Sequence, residues 1–153
     1  MGNGGAARAA FAAMDPIHAE QLRVLVRNLE AGKRMVESMA PLEGTVFGFD
    51  RTEECIEGCN GLINATSLGM AGQPRIPAAV LDAIPTLAPG AFVFDMVYVP
   101  LRTELLRRAE EAGFRRIDGL TMLIAQAAAA FENFFCEPAP REHDAELRAL
   151  LTS

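Results

Sequence analysis

The sequence predicts an α/β fold, a parallel sheet flanked by helices, and three observations carry that expectation. Strand-like and helix-like segments alternate along the 153 residues. The strand-like segments are strongly apolar, as strands covered on both faces are. The stretches between them are long enough for the helical crossovers that parallel strands require.

Taken in order, residues 5–14 are alanine-rich and favour a helix, with Asp15-Pro16 as its stop signal. "LRVLVR" (22–27) reads as a strand, and residues 30–40 as a helix with Lys33, Arg34 and Glu37 on its wet side. "GTVFGF" (44–49) is the next β-rich run, followed by a short helix at about 51–58. "GLIN" (61–64) is a strand, after which a proline- and glycine-rich passage extends to about residue 90. "AFVFDMVY" (91–98) is the most apolar strand, and residues 101–112 form an amphipathic helix that stops at Gly113. "FRRID" (114–118), a long alanine-rich helix (120–135) and a charged terminal helix (141–151) complete the chain. No internal repeat or linker divides it, so residues 1–153 read as one domain.

Half of the residues are hydrophobic and the net charge is −6. The acidic balance argues against a nucleic-acid partner or an anionic membrane surface. An anion must therefore be met locally. Cys55, Cys59 and Cys136 are odd in number and lack zinc-ligand spacing, and His18 and His143 lie far from them in sequence. No metal site is expected, and reduced thiols in a cytoplasmic protein are. The longest apolar run, near residues 120–131, is interrupted by Gln126 and too short to span a bilayer.

Two loops stand out. In "GLINATSLGM" (61–70) an apolar strand runs into Asn64, Ala65, Thr66, Ser67 and Gly69. Short polar side chains at the carboxyl end of a parallel strand suit ligand binding, although a plain turn has the same composition. "MGNGGAARAA" contains Gly2-x-Gly4-x-x-Ala7, a glycine pattern that turns tightly into a helix and brings backbone N–H groups to a pyrophosphate. A dinucleotide fold has a central strand before that turn, and only Met1 precedes it here. Either the glycines are an accident of composition or the chain is an amino-terminally truncated piece of a larger protein.

"GNGGAARA", "LINATSLGM" and "FDMVYVPLRTELLRRAEEAGFRRIDGLTMLIAQAAAAFE", with their spacing, resemble the carboxyl-terminal half of shikimate dehydrogenase over roughly residues 2–137. The combination of "NATSxGM", "DMVY-x-P" and "DGxxMLxxQAAxAF" is highly specific. The resemblance implies a Rossmann-like NADP-binding domain with its first strand missing. It also implies reversible reduction of 3-dehydroshikimate to shikimate, in aromatic amino-acid (chorismate) biosynthesis. Residues 119–153 would then be carboxyl-terminal helices packing toward an absent amino-terminal substrate domain.

The same resemblance implies the site. Gly2, Asn3, Gly4, Gly5 and Ala6 would form the phosphate-binding turn. Arg27, with Asn28 beside it, would meet the adenosine 2′-phosphate of NADP. "LEAGKR" departs from the family there and leaves the second phosphate ligand open, with Lys33 and Arg34 nearby in sequence. Asn64, Ala65, Thr66 and Ser67 would edge the ribose and nicotinamide. Met96 would line the nicotinamide pocket, and Gly119 and Met122 would lie where a backbone carbonyl meets the nicotinamide amide. Thr121 replaces a glycine common in the family. Tyr98 and Gln126 would bind shikimate. The family's lysine–aspartate proton donor has no counterpart here, so no catalytic residue is assigned. Shikimate or 3-dehydroshikimate and the missing domain are the expected partners, and quinate is an alternative substrate. Unpaired sheet edges would favour self-association into a homo-oligomer. A catalytically silent nucleotide-binding or regulatory module is the alternative from another class.

Overall fold

β1 (Arg23–Val26) and β2 (Thr45–Gly48) pair in parallel, Arg23 with Thr45 through Val26 with Gly48. β3 (Gly61–Asn64), β4 (Phe92–Asp95) and β5 (Arg115–Ile117) form a second parallel sheet in the order β3-β4-β5. The computed structural model describes residues 1–14, 21–40 and 43–152. The stop signal expected at Asp15-Pro16 lies outside the described residues.

Helices cover both faces. On one, α1 (Gly5–Ala12) and α2 (Leu29–Glu37) lay Ala7, Phe11 and Met35 against Val24 and Val26 of β1. On the other, α3 (Thr52–Ile56), α4 (Ala78–Ala83) and α5 (Glu104–Glu111) pack Ile56, Val80 and Leu105 with Leu25, Leu62 and Val93. The alternation along β1 explains why Val24, Leu25 and Val26 are all buried: successive side chains point to opposite faces and both are apolar. Val80, Val93, Ile84 and Leu105 are fully buried, and each contributes on the order of 1.5–3 kcal/mol relative to exposure. α6 (Gly119–Phe135) and α7 (Asp144–Leu150) close the chain and pack on each other.

Helix ends follow their capping chemistry. Asn28, Thr103 and Asp118 cap α2, α5 and α6 by accepting from the backbone N–H of Ala31, Leu106 and Thr121. The amphipathic helix read from residue 101 starts only at Glu104, because Thr103 is the cap. The apolar strand read over 91–98 keeps its ladder only for Phe92–Asp95. α4 was not expected, since prolines and glycines on either side mask it in the sequence.

The sheets face each other across a gap between β1 and β3. No strand among the described residues lies in it, as the sequence reading expected. Met1 and Gly2 bridge its end. The Met1 amine donates to Ile63 O, Ala65 N donates to Met1 O at 3.1 Å, and Gly2 N donates to Leu25 O at 3.0 Å.

Candidate nucleotide-binding cleft

A cleft of about 370 Å³ opens at the carboxyl ends of β1 and β3. Gly2, Asn3 and Gly4 form one wall, Arg27 and Asn28 a second, and Ala65, Thr66 and Ser67 a third. Segments distant in sequence meet here because parallel strands aim all their exit loops at one edge of the sheet.

The glycine turn leaves its donors open. α1 starts after Gly4, which has no side chain to cap it, and the first backbone bond of the helix runs from Arg8 N to Gly4 O at 3.0 Å. The N–H groups of Gly5, Ala6 and Ala7 precede that bond and have no intrahelical acceptor. At Gly4 and Gly5 a Cβ would meet nothing within 4 Å, so the backbone presents open space rather than packed neighbours. Gly2 is constrained differently. Its φ is +104° and a Cβ there would lie 2.9 Å from Thr66 Cγ2 and 3.0 Å from Ala65 O. A side chain would be both strained and obstructed, so glycine lets the turn lie against the β3 loop.

The β3 loop is held from behind by a buried network. Asn64 is fully buried, and its Nδ2 donates to Asp95 Oδ1 at 2.9 Å and to Leu68 O at 3.1 Å. Its Oδ1 accepts from Thr66 N at 3.1 Å and from Thr66 Oγ1 at 2.6 Å. Asp95 also accepts from Val97 N at 3.1 Å and from Thr103 Oγ1 at 2.7 Å. Burial pushes the Asp95 carboxyl above its usual range against the pull of those donors. The side chain of Asn64 therefore spends its hydrogen bonds on the protein, and the cleft surface of this loop is Ala65, Thr66 and the exposed Ser67.

Arg27 is exposed at the cleft rim, while Asn28 Oδ1 is engaged in capping α2. Lys33 pairs with Glu30 at 3.0 Å, and neither it nor Arg34 lines the cleft. Phe49, just after β2, supplies an apolar wall that the sequence did not single out. The described residues thus offer free helix-terminal amides, an unpaired guanidinium at the rim and an apolar wall, a donor set that fits a phosphorylated nucleotide.

The other expected residues follow along the same edge. Met96 N donates to Asn64 O at 3.0 Å, which sets the exit of β4 beside that of β3. Gly119 is buried against it, and a Cβ there would come within 2.4 Å of Met96 O and 2.6 Å of Val97 O. Met96 and Met122 are half-buried, and Tyr98 and Gln126 are exposed. None of these five residues lines the 370 Å³ cleft. Thr121 donates through its N–H and hydroxyl to Asp118 Oδ1, and Arg148 from α7 holds the same carboxylate. Burial raises Asp118, but the bonds from Arg148 and Thr121 outweigh it and hold the carboxyl below its usual range.

Cys55 is buried, Cys59 half-buried and Cys136 exposed, all free thiols. Among the described residues no cluster of histidine, cysteine and carboxylate groups could hold a metal ion, and no helix is long and apolar enough to cross a membrane.

The chain matches no family profile. It is 43% identical over 153 residues to a shikimate dehydrogenase (NADP(+)) of Sphingopyxis alaskensis, covering all of this chain and 53% of that protein. In fold it is similar to a quinate dehydrogenase from Corynebacterium glutamicum in complex with NAD, with a TM-score of 0.81 and 26% identity. That match covers 95% of this chain and 51% of the other. A shikimate 5-dehydrogenase from Listeria monocytogenes, in complex with shikimate and NAD, gives a TM-score of 0.76 at 26% identity over 95% of this chain and 53% of the other. The chain spans about half the length of the curated relatives it matches. Along its whole length the chain is similar in sequence, and by fold, to roughly half of a shikimate dehydrogenase.

Proposed function

We propose that the chain is the NADP-binding part of a shikimate dehydrogenase, working in the reversible reduction of 3-dehydroshikimate to shikimate. The observation that carries this reading is the convergence of the uncapped α1 terminus, Arg27 and the Ala65–Ser67 loop on one cleft. Gly2, Asn3, Gly4, Gly5 and Ala6 hold the pyrophosphate through backbone N–H groups, so an acidic protein needs no basic side chain there. Arg27 takes the 2′-phosphate, with Asn28 fixing the start of α2 beside it. Asn64 acts through the loop it anchors, and Ala65, Thr66 and Ser67 border the ribose. Met96, Gly119 and Met122 flank the nicotinamide at the β4 exit. The bound cofactor supplies the hydride.

Tyr98 and Gln126 provide one polar wall for shikimate, and both are exposed as such a wall requires. The opposite wall and the proton donor belong to a substrate domain, which the relatives' greater length leaves room for. Docking of that domain on residues 119–153 is supported by the apolar surface there: Phe134 and Leu150 are 84% and 73% exposed. Cytoplasmic location and a place in aromatic amino-acid biosynthesis belong to the same proposal.

Calorimetric titration of the 153-residue chain with NADP and with NAD tests the reading. NADP should bind, and Arg27→Ala should weaken it by about 1.5–3 kcal/mol while changing NAD much less. Equal losses for both nucleotides would contradict the role of Arg27. Without the second wall and the proton donor, turnover of 3-dehydroshikimate by this chain alone should be negligible. Robust NADPH oxidation by it would overturn that division of labour.

A further inference from the structure

Strand register places one aromatic ring at the cleft. Val26 pairs with Gly48 at the ends of β1 and β2. The next residues, Arg27 and Phe49, therefore leave the sheet side by side from strands about 4.8 Å apart, and both line the cleft. Gly48 permits a tight exit, since a Cβ there would collide with Asp50 Oδ1. Phe49 opens a single 3₁₀ turn, Phe49–Arg51, and Thr52 Oγ1 donates to Phe49 O at 2.7 Å. Phe49 is half-buried and rests on the core that α3, α4 and α5 share with the strands, so its ring is backed by packed side chains where it meets the cleft.

Core packing does not account for the other side of that ring. The guanidinium–ring contacts among the described residues are Arg51 over Phe47 and Arg115 over Phe92, so Arg27 does not cover Phe49. The chemistry of a nucleotide says what would. A ribose carries its base on C1′ and a 2′-phosphate on the adjacent carbon, so a phosphate held by Arg27 brings the base close to the same strand exit. Asn28, beside Arg27, has its Oδ1 engaged in capping α2. Across the cleft, the side chains of Ala65, Thr66 and Ser67 are too small to cover a purine and have no π face. Phe49 is the one aromatic lining the cleft among the described residues, and a base stacks on such a ring through dispersion and apolar contact.

We propose that Phe49 is the platform on which the adenine of the bound nucleotide stacks, a binding residue that recognises the base by its π face. This role rests on the nucleotide-binding function proposed above and adds the side chain that selects the base, as Arg27 selects the phosphate. Because the ring is held from behind, stacking on it orders little that is not already ordered. A base on an aromatic side chain gains roughly five- to 150-fold in affinity. Leucine at this position keeps apolar contact with the core and loses the π face, so packing and stacking separate experimentally.

The test titrates the 153-residue chain with adenosine 2′,5′-bisphosphate and with ribose 2,5-bisphosphate, which has no base. The unsubstituted chain should prefer the first by about tenfold or more, and Phe49→Leu should cut that preference by about fivefold or more. General damage to the fold would weaken both ligands alike and leave the ratio unchanged. The chain has no tryptophan, so Phe49→Trp adds a single indole at the site. Adenosine 2′,5′-bisphosphate should quench its fluorescence saturably over the range in which it binds, and ribose 2,5-bisphosphate should not. A preference retained in Phe49→Leu, or equal quenching of Phe49→Trp by both ligands, would overturn the platform and leave the nucleotide-binding function standing. An unsubstituted chain that binds neither ligand would overturn that function and the platform with it.

Discussion

Replacing Asp95 by alanine tests the buried network that shapes the β3 loop. Asp95 is fully buried and accepts from Asn64 Nδ2 at 2.9 Å, Val97 N at 3.1 Å and Thr103 Oγ1 at 2.7 Å. Asp95→Ala strands three donors, and a buried donor without an acceptor costs about 1–3 kcal/mol. Water entering the vacated volume recovers part of that, which leaves a loss of about 3–5 kcal/mol. Asp95→Asn keeps the shape and one carbonyl acceptor, and Thr103 Oγ1 can rotate to accept, so about 1–2 kcal/mol is expected. The chain has no tryptophan and one tyrosine, so urea unfolding followed by far-UV circular dichroism is the suitable assay. The pH dependence has a defined sign. Burial raises the native pKa of Asp95, so the native state holds this proton more tightly than the unfolded chain does. Its contribution is full below the ordinary carboxylate value of about 3.9 and is lost as pH rises through the raised native value. The advantage of the unsubstituted protein over Asp95→Asn should therefore shrink from acid toward neutral pH. A loss below about 1 kcal/mol for Asp95→Ala, or equal losses for both variants, would refute this account of the network.

Gly119→Ala should destabilise by about 1–3 kcal/mol in the same unfolding assay, because the added Cβ meets the backbone oxygens of Met96 and Val97; helix propensity alone predicts the opposite sign. Arg148→Ala should cost only about 0.5–1 kcal/mol, given the partial exposure of the ion pair with Asp118. The lowered Asp118 carboxyl makes that contribution present above about pH 3.9 and lost as pH falls through its lower native value, and high salt should reduce it. A thiol reagent followed spectroscopically should modify exposed Cys136 quickly and Cys55 only on unfolding, since burial pushes the Cys55 thiol up to about 11; fast modification of Cys55 in the folded chain would contradict its placement.

Several candidate positions were legible because their chemistry is local. The glycine turn before α1 and the polar loop after β3 stand at the ends of segments whose type the sequence specifies, and the structure brings both to one cleft. Arg27 came from the family resemblance, since the sequence alone does not tell a phosphate ligand from a solvated arginine at the end of a strand. Asn64 shows the limit. Its sequence neighbours mark it as a loop residue, but its partner Asp95 lies 31 positions away, and only the pairing of β3 with β4 turns its amide inward. Phe49 and α4 were missed because nothing nearby in sequence distinguishes a cleft wall from a core aromatic, or a short helix from the turns around it.

The sequence by itself determined the alternation of strands and helices, the apolar character of the parallel strands and the place of the glycine turn. These follow from side-chain periodicity and backbone preference, which act over a few residues. Tertiary structure alone decided which loops meet and which polar side chains are spent inside the protein. Those outcomes depend on strand register and on hydrogen bonds between segments tens of residues apart, and a linear pattern does not encode such pairings.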